Sequence, residues 1–472
     1  MWPGTDGSFS LNTDVRGIPE VKWLYTEFEL PYIPYPTIAR LGAQPFGAAA
    51  SYKLAAYANG DFAGVNLVTT ITKNVKLVAT YVAVEEMLTG RQQTTGTQPP
   101  TNSFLGVNPF QLRGDDWAVI FAPEITPIKG LDLKPMYSYF TASGTTSSQA
   151  RQGRGGIGQF SPAGWFQVSC GPGPAWQNGP DCSGNNADGA WRKGLNESRH
   201  TIGLDARYRN GPFSFDPTVY YQFGNRSVIA PTRSTGLYDL PFDFRSISLA
   251  PLLDAGVIPG RKYTANLSAW FVDVRAGYEI GPLLLEAMGM FTTGNSARDT
   301  TLRTVKYYQP LDTDTSYLAD WGSQLTALGV DYLDAMLEAN SFYPGVSVGW
   351  DKYGRIQLGA RATYAFTPSL SVYGGWNGHW TPNPIQKNAN VTPFGNGLVP
   401  VFTGQAANSK SSYIGTEIFG GLTWRFAPGI ALDMAGGYMW TGPALDAMTI
   451  QVFSPRDARN AYILTSRVRF SF

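Results

Sequence analysis

From Arg355 to Phe366 the chain reads Arg-Ile-Gln-Leu-Gly-Ala-Arg-Ala-Thr-Tyr-Ala-Phe. Ile356, Leu358, Ala360, Ala362, Tyr364 and Phe366 fall on one parity, and Arg355, Gln357, Gly359, Arg361 and Thr363 on the other. A two-residue period held for about 12 residues predicts a strand, long enough to cross a bilayer at a tilt. Thr367-Pro368 turns the chain, and 369–380 then sets Leu370, Val372, Gly374 and Trp376 against Ser371, Tyr373, Gly375 and Asn377. The same unit of strand, short turn, strand and long polar loop recurs. It is read at 21–30 with 36–45, 62–71 with 75–85, 116–125 with 130–141, and 198–208 with 212–223. It continues at 268–279 with 282–293 and 413–426 with 429–440, and a single strand 459–472 ends the chain. A weaker alternation over 8–15 brings the count to about 16.

These elements predict an all-β fold in one domain over 1–472: a transmembrane antiparallel up-and-down β-barrel of about 16 strands, with short turns, long loops and one helix-containing loop. Short turns sort to one rim and long loops to the other, the asymmetry of an outer-membrane barrel. A soluble sandwich, with strands of roughly 5–9 residues, would not alternate for so long.

Composition changes the picture in the same direction. Charged residues make up 15 % of the 472, against about 25 % in an ordinary soluble chain. Aromatic residues at 14 % exclude disorder, because that much apolar surface does not stay solvated. Mean hydropathy is −0.16, and no run approaches the roughly 18 apolar residues of a spanning helix. A barrel hides its apolar band in alternate residues, so average hydropathy stays modest. Net charge of +1 leaves no footprint for nucleic acid, and none is expected as a partner. Met1-Trp-Pro-Gly-Thr-Asp-Gly shows no secretory leader, so an upstream piece is expected to have been removed or left out. Cys170 and Cys182, twelve apart in a Gly/Pro/Asn-rich stretch, are expected to close a loop by a disulfide, the alternative being two thiols with no role.

A barrel this large encloses an aqueous lumen unless something fills it. By parity Arg355, Arg361, Arg425, Arg467 and Arg469 face that lumen. They form either an anion-attracting wall or cross-strand pairs with Glu417 and Asp433. The insertion 307–350 carries six acids and no Lys or Arg. Within it 318–340 has helical periodicity, with Asp320, Asp331, Asp334 and Glu338 on one face. That face is either a constriction opposite the arginines or a solvated lid. No cofactor or metal is expected, since Asp312-Thr-Asp314 lacks the ligands and glycine of a calcium loop. His200 and His379 stand on distant strands with no base-orienting partner, so an enzyme is not expected.

The chain ends in Ser-Arg-Val-Arg-Phe-Ser-Phe, with Val468, Phe470 and Phe472 alternating outward. This resembles the C-terminal recognition strand of bacterial outer-membrane β-barrel porins, which the barrel assembly machinery reads. More loosely, the stretch Trp23 to Phe46 resembles early strands of large alginate-export-type porins. The resemblance implies residence in the bacterial outer membrane, contact with lipid and lipopolysaccharide, and a homotrimer as one possible assembly. The function expected is a channel for passive or mildly selective diffusion of small hydrophilic solutes. Two alternatives stay open: a specific channel for an acidic polysaccharide, and a scaffold sheathing a partner such as a cytochrome.

Overall fold

The computed structural model describes residues 23–45, 56–59, 61–85, 116–143, 196–229, 262–295, 303–313, 353–384, 386–387, 391–393, 400–402, 407–408, 411–446 and 460–470. The wall begins with β1 (Leu24–Glu29), β2 (Thr37–Pro45), β3 (Asp61–Thr72) and β4 (Val75–Glu85). It continues through β5 (Asp116–Phe121), β6 (Glu124–Ile128), β7 (Leu131–Ser143), β8 (Asn196–Asn210) and β9 (Phe213–Ile229). The remainder is β10 (Lys262–Ile280), β11 (Leu283–Thr292), β12 (Arg355–Thr367), β13 (Leu370–Trp380), β14 (Tyr413–Ala427), β15 (Ile430–Thr441) and β16 (Ala461–Phe470). Apart from β5 and β6, which lie end to end, each pairs antiparallel with its neighbours in chain order, so the sheet is a single up-and-down meander. Among the described residues no ladder joins β1 to β16.

Sequence periodicity and observed strands agree closely, with one informative difference. The strand expected over 116–125 is broken into β5 and β6, which share the neighbours β4 and β7. Pro123 lies in the gap. It has no N–H to give a ladder, so the strand is interrupted there and resumes. The tight turns are all at one rim: Lys73-Asn74, Lys129-Gly130, Gly211-Pro212, Gly281-Pro282, Pro368-Ser369 and Pro428-Gly429. Gly130, Gly211, Gly281 and Gly429 take positive φ there, a conformation that only glycine adopts at no steric cost.

The sheet curls strongly. One buried apolar cluster collects Phe62 of β3, Val82 of β4, Ile120 of β5, Met136 and Phe140 of β7, Tyr220 of β9, Phe271 of β10, and Met288 and Met290 of β11. At about 4.8 Å per strand a flat sheet would hold β3 and β11 about 34 Å apart. They converge because the wall bends around two inward segments, Ala56–Asn59 and 303–313. The concave face is the lumen. The convex face carries exposed Leu41, Trp270, Leu285, Leu358, Trp376, Ile418, Met434 and Leu464.

Aromatic rings band the convex face at both ends. Toward the long loops Tyr81, Trp117, Tyr139, His200, Phe223, Tyr221 and Trp270 form an unbroken chain of ring contacts from β4 to β10. Toward the tight turns stand Tyr208 with Phe213, Tyr364 with Phe366, and Trp424 with Phe426. Rings with an apolar body and a polar tip collect at such levels in membrane barrels.

Candidate functional site: a lumen with a packed half and a polar girdle

The lumen has two levels. Next to the long loops it is packed, because 303–313 crosses it as a strap. Thr304 and Val305 pair parallel to Asn266 and Leu267 of β10, and Asp312 and Thr313 pair parallel to Ala58 and Asn59. Between these ends Gln222 of β9 grips the strap backbone as a strand partner would. Its Nε2 donates to the Gln309 carbonyl (2.7 Å), and its Oε1 accepts from the Gln309 N–H (2.9 Å). Arg199 donates to Gln309 Oε1 (2.8 Å) and to the Pro310 carbonyl, with Glu197 3.3 Å from its guanidinium. Arg226 donates to the Tyr307 hydroxyl (2.9 Å). Tyr308 stacks on Tyr220 at 9° between planes and donates to the Ala56 carbonyl. Tyr57 donates to Ser138 Oγ (2.7 Å). Buried backbone groups need partners, and between the two paired ends wall side chains supply them to the strap.

A second buried polar set lies at the same level on β12 to β14: Arg355, Gln357, Asn377, His379 and Glu417. Arg355 Nη2 approaches His379 Nδ1 at 3.3 Å, and His379 Nε2 stands 3.7 Å from Glu417.

Toward the tight turns the lumen is reached by water and carries a girdle of ion pairs. Glu27 faces Arg40, and Glu124 faces Lys134 (3.0 Å). Arg209 grips both oxygens of Asp216, Arg275 holds Asp273 (3.0 Å), and Arg361 holds Glu286 (2.7 Å). Asp433 takes both Arg467 (3.0 Å) and Arg469 (2.5 Å). The register explains the pairing, since Glu27 is opposite Arg40, Glu286 opposite Arg361 and Asp433 opposite Arg467. Opposite charges directly across two strands attract, and here seven basic side chains meet six carboxylates.

Large side chains on this face lie flat. Tyr373 of β13 is directly opposite Gly421 of β14. A Cβ on Gly421 would meet the Tyr373 hydroxyl at 2.6 Å. Phe419 lies over Gly375 and Tyr220 over Gly203 in the same manner. Glycine thus keeps these rings against the wall and out of the lumen.

The five arginines expected to form one wall are distributed. Arg355 is buried near the long loops, Arg361 belongs to the girdle, and Arg425, Arg467 and Arg469 stand near the tight-turn rim. His379 faces the lumen, whereas His200 faces outward, stacked on Phe223. Val468 and Phe470 are exposed on the convex face of β16. Phe472, Cys170 and Cys182, the 8–15 strand, and the 318–340 helix with Asp320, Asp331, Asp334 and Glu338 lie outside the described residues. Of the 307–350 insertion, residues 307–313 are described, and they are the extended end of the strap. Participants absent from the sequence expectations include Glu27, Glu124, Arg209, Gln222, Arg226, and Tyr57 and Tyr308, which both meet Tyr220. One signal for the last was available: Trp117-Ala-Val-Ile-Phe121 is apolar on both parities, which calls for an apolar body inside the barrel as well as outside.

No family model matches the chain, and no curated protein does. Among solved structures it is similar to OccAB1 of Acinetobacter baumannii, with 13 % identity over 92 % of this chain and 74 % of that one, at a TM-score of 0.38. It is similar to OccK5 (OpdH) of Pseudomonas aeruginosa, with 10 % identity over 92 % and 78 %, at 0.38. The siderophore receptor PirA of Acinetobacter baumannii gives 8 % identity over 86 % of this chain and 43 % of that one, at 0.39.

Proposed function

We propose that this chain forms an outer-membrane channel for passive, mildly selective diffusion of small hydrophilic solutes. The observation that carries the reading is the inversion of the usual protein. The exposed convex face is apolar between aromatic bands, while ion pairs line a water-reached concave face. An exposed apolar surface of this extent suits lipid. A lumen of paired charges offers water and solutes hydrogen bonds at every level of the girdle. The strap narrows the opposite level without swinging, because its partners are wall side chains. The near balance of charge favours weak ion preference and disfavours a dedicated path for an acidic polymer. The early-strand likeness to alginate-export porins therefore speaks to architecture only.

The same reading supplies the surroundings. Lipid and lipopolysaccharide cover the outer band, the assembly machinery engages Val468, Phe470 and Phe472, and three copies are one available assembly. In it the acids Asp320, Asp331, Asp334 and Glu338 narrow or cover the lumen beyond the strap, and Cys170 and Cys182 close a loop. Swelling of liposomes containing the refolded protein, in isosmotic solutes of graded size, tests the channel. Swelling should be fast for small sugars and amino acids and should fall steeply with solute size. Liposomes that hold folded protein and swell no faster than empty ones contradict it.

A further inference from the structure

Strands β8 to β12 meet at a recess of about 370 Å³ on the lumen face, lined by Arg209, Ser214, Asp216, Arg275, Glu286 and Arg361. A residue without a side chain lies between two of the lining residues. Gly277 is directly opposite Ser214 on one side and Glu286 on the other. A Cβ there would stand 2.5 Å from Ser214 Oγ and 3.6 Å from Glu286 Cγ.

Each arginine at the recess holds a carboxylate: Arg209 with Asp216, Arg275 with Asp273, and Arg361 with Glu286. The lining holds three guanidiniums and two carboxylates, and Asp273, buried beside the recess and bound to Arg275, supplies the third carboxylate, so each arginine already has its counter-charge. An entering anion would have to displace a carboxylate from its arginine. A neutral hydroxylated solute has no such requirement. A guanidinium carries five N–H donors and a carboxylate about four acceptor positions, more than one ion pair occupies. Donors and acceptors therefore alternate from strand to strand at about 4.8 Å. A hydroxyl both donates and accepts, so adjacent hydroxyls can bridge from one pair to the next. Hydrogen bonds to charged groups are also the stronger kind. The volume falls at the lower end of small-molecule sites, which run from roughly 300 Å³.

Resting on the channel reading, we infer that this recess is a docking site for neutral polyhydroxylated solutes of monosaccharide size within the lumen. Single channels in planar bilayers, with D-glucose or sodium acetate added, test it. Glucose should lower the mean current saturably and add current noise, beyond the non-saturating effect of viscosity, whereas acetate should not. Glu286→Gln leaves the Arg361 charge unbalanced and should weaken the glucose effect roughly tenfold, the loss expected of one hydrogen bond to a charged group. Gly277→Val sets a side chain against Ser214 and Glu286 and should abolish it. If Gly277→Val does not fold, Glu286→Gln carries the comparison.

A conducting wild type with a non-saturating glucose effect, a glucose effect unchanged in Glu286→Gln, or stronger action by acetate would overturn the site. A folded wild type that does not conduct speaks against the channel reading instead. Equilibrium dialysis of labelled glucose against refolded protein then decides the site: binding weakened by Glu286→Gln supports it, and absence of binding refutes it.

Discussion

Asp433 holds two arginines, Arg467 and Arg469, both about half exposed or more on the last described strand. Exposed pairs contribute at most about 1 kcal/mol, so Asp433→Asn should change stability within that limit. Its electrical effect should be larger, because two guanidiniums lose their carboxylate on the water-facing side of a low-dielectric wall, which focuses their field into the lumen. The expected outcome is a reversal potential in a salt gradient displaced toward anion preference. An unchanged reversal potential would place these three residues outside the permeation path. Gly421 acts by size instead. A Cβ at this position would meet the Met434 carbonyl at 2.4 Å as well as the Tyr373 hydroxyl. Gly421→Ala should therefore cost about 1–3 kcal/mol and lift the phenol into the lumen, lowering single-channel conductance. Tyr373→Ala alone should alter conductance little, since the ring already lies against the wall, yet it should restore conductance in the Gly421→Ala background. A double variant as narrow as Gly421→Ala would mean that wall distortion, and not the ring, closes the path.

At the scale of elements, the strap is the part whose behaviour depends most on single partners. Gln222→Ala removes both side-chain bonds to the Gln309 backbone. Each buried backbone group left without its partner costs about 1–3 kcal/mol. The variant should open locally far more often than the whole wall unfolds, giving frequent conductance substates in single-channel records. Records as quiet as the wild type would show that the strap is held without Gln222, by its paired ends, Arg199, Arg226 and the tyrosine stack.

The strands themselves were legible, because a two-residue period survives any tertiary context in which one face meets water and the other an apolar phase. The 355–366 pattern reappears residue for residue as the two faces of β12. Pro123 was equally visible, and its effect on β5 follows from its missing N–H. The strap was not legible as an element. Residues 303–313 have no period, and their partners Gln222, Arg199 and Arg226 lie far away in the chain. The girdle was legible by halves. Parity told that Arg361 faces inward, but only register told that it meets Glu286.

The whole molecule is a sheet bent until one face becomes an interior, and most of its chemistry follows from that inversion. Apolar residues lie on the outside, and among the described residues the packed interior lies at the level of the strap while ion pairs line the level below it. A wall of this kind should be a weakly selective conductor, because neither sign of charge prevails by more than one in the paired girdle. The most direct test is single-channel conductance with reversal potential under a salt gradient, on protein refolded into a planar bilayer. Stable conducting steps with a reversal potential close to zero are the predicted result. Absence of steps from correctly folded protein, or a reversal potential near the limit for a single ion, would contradict the account.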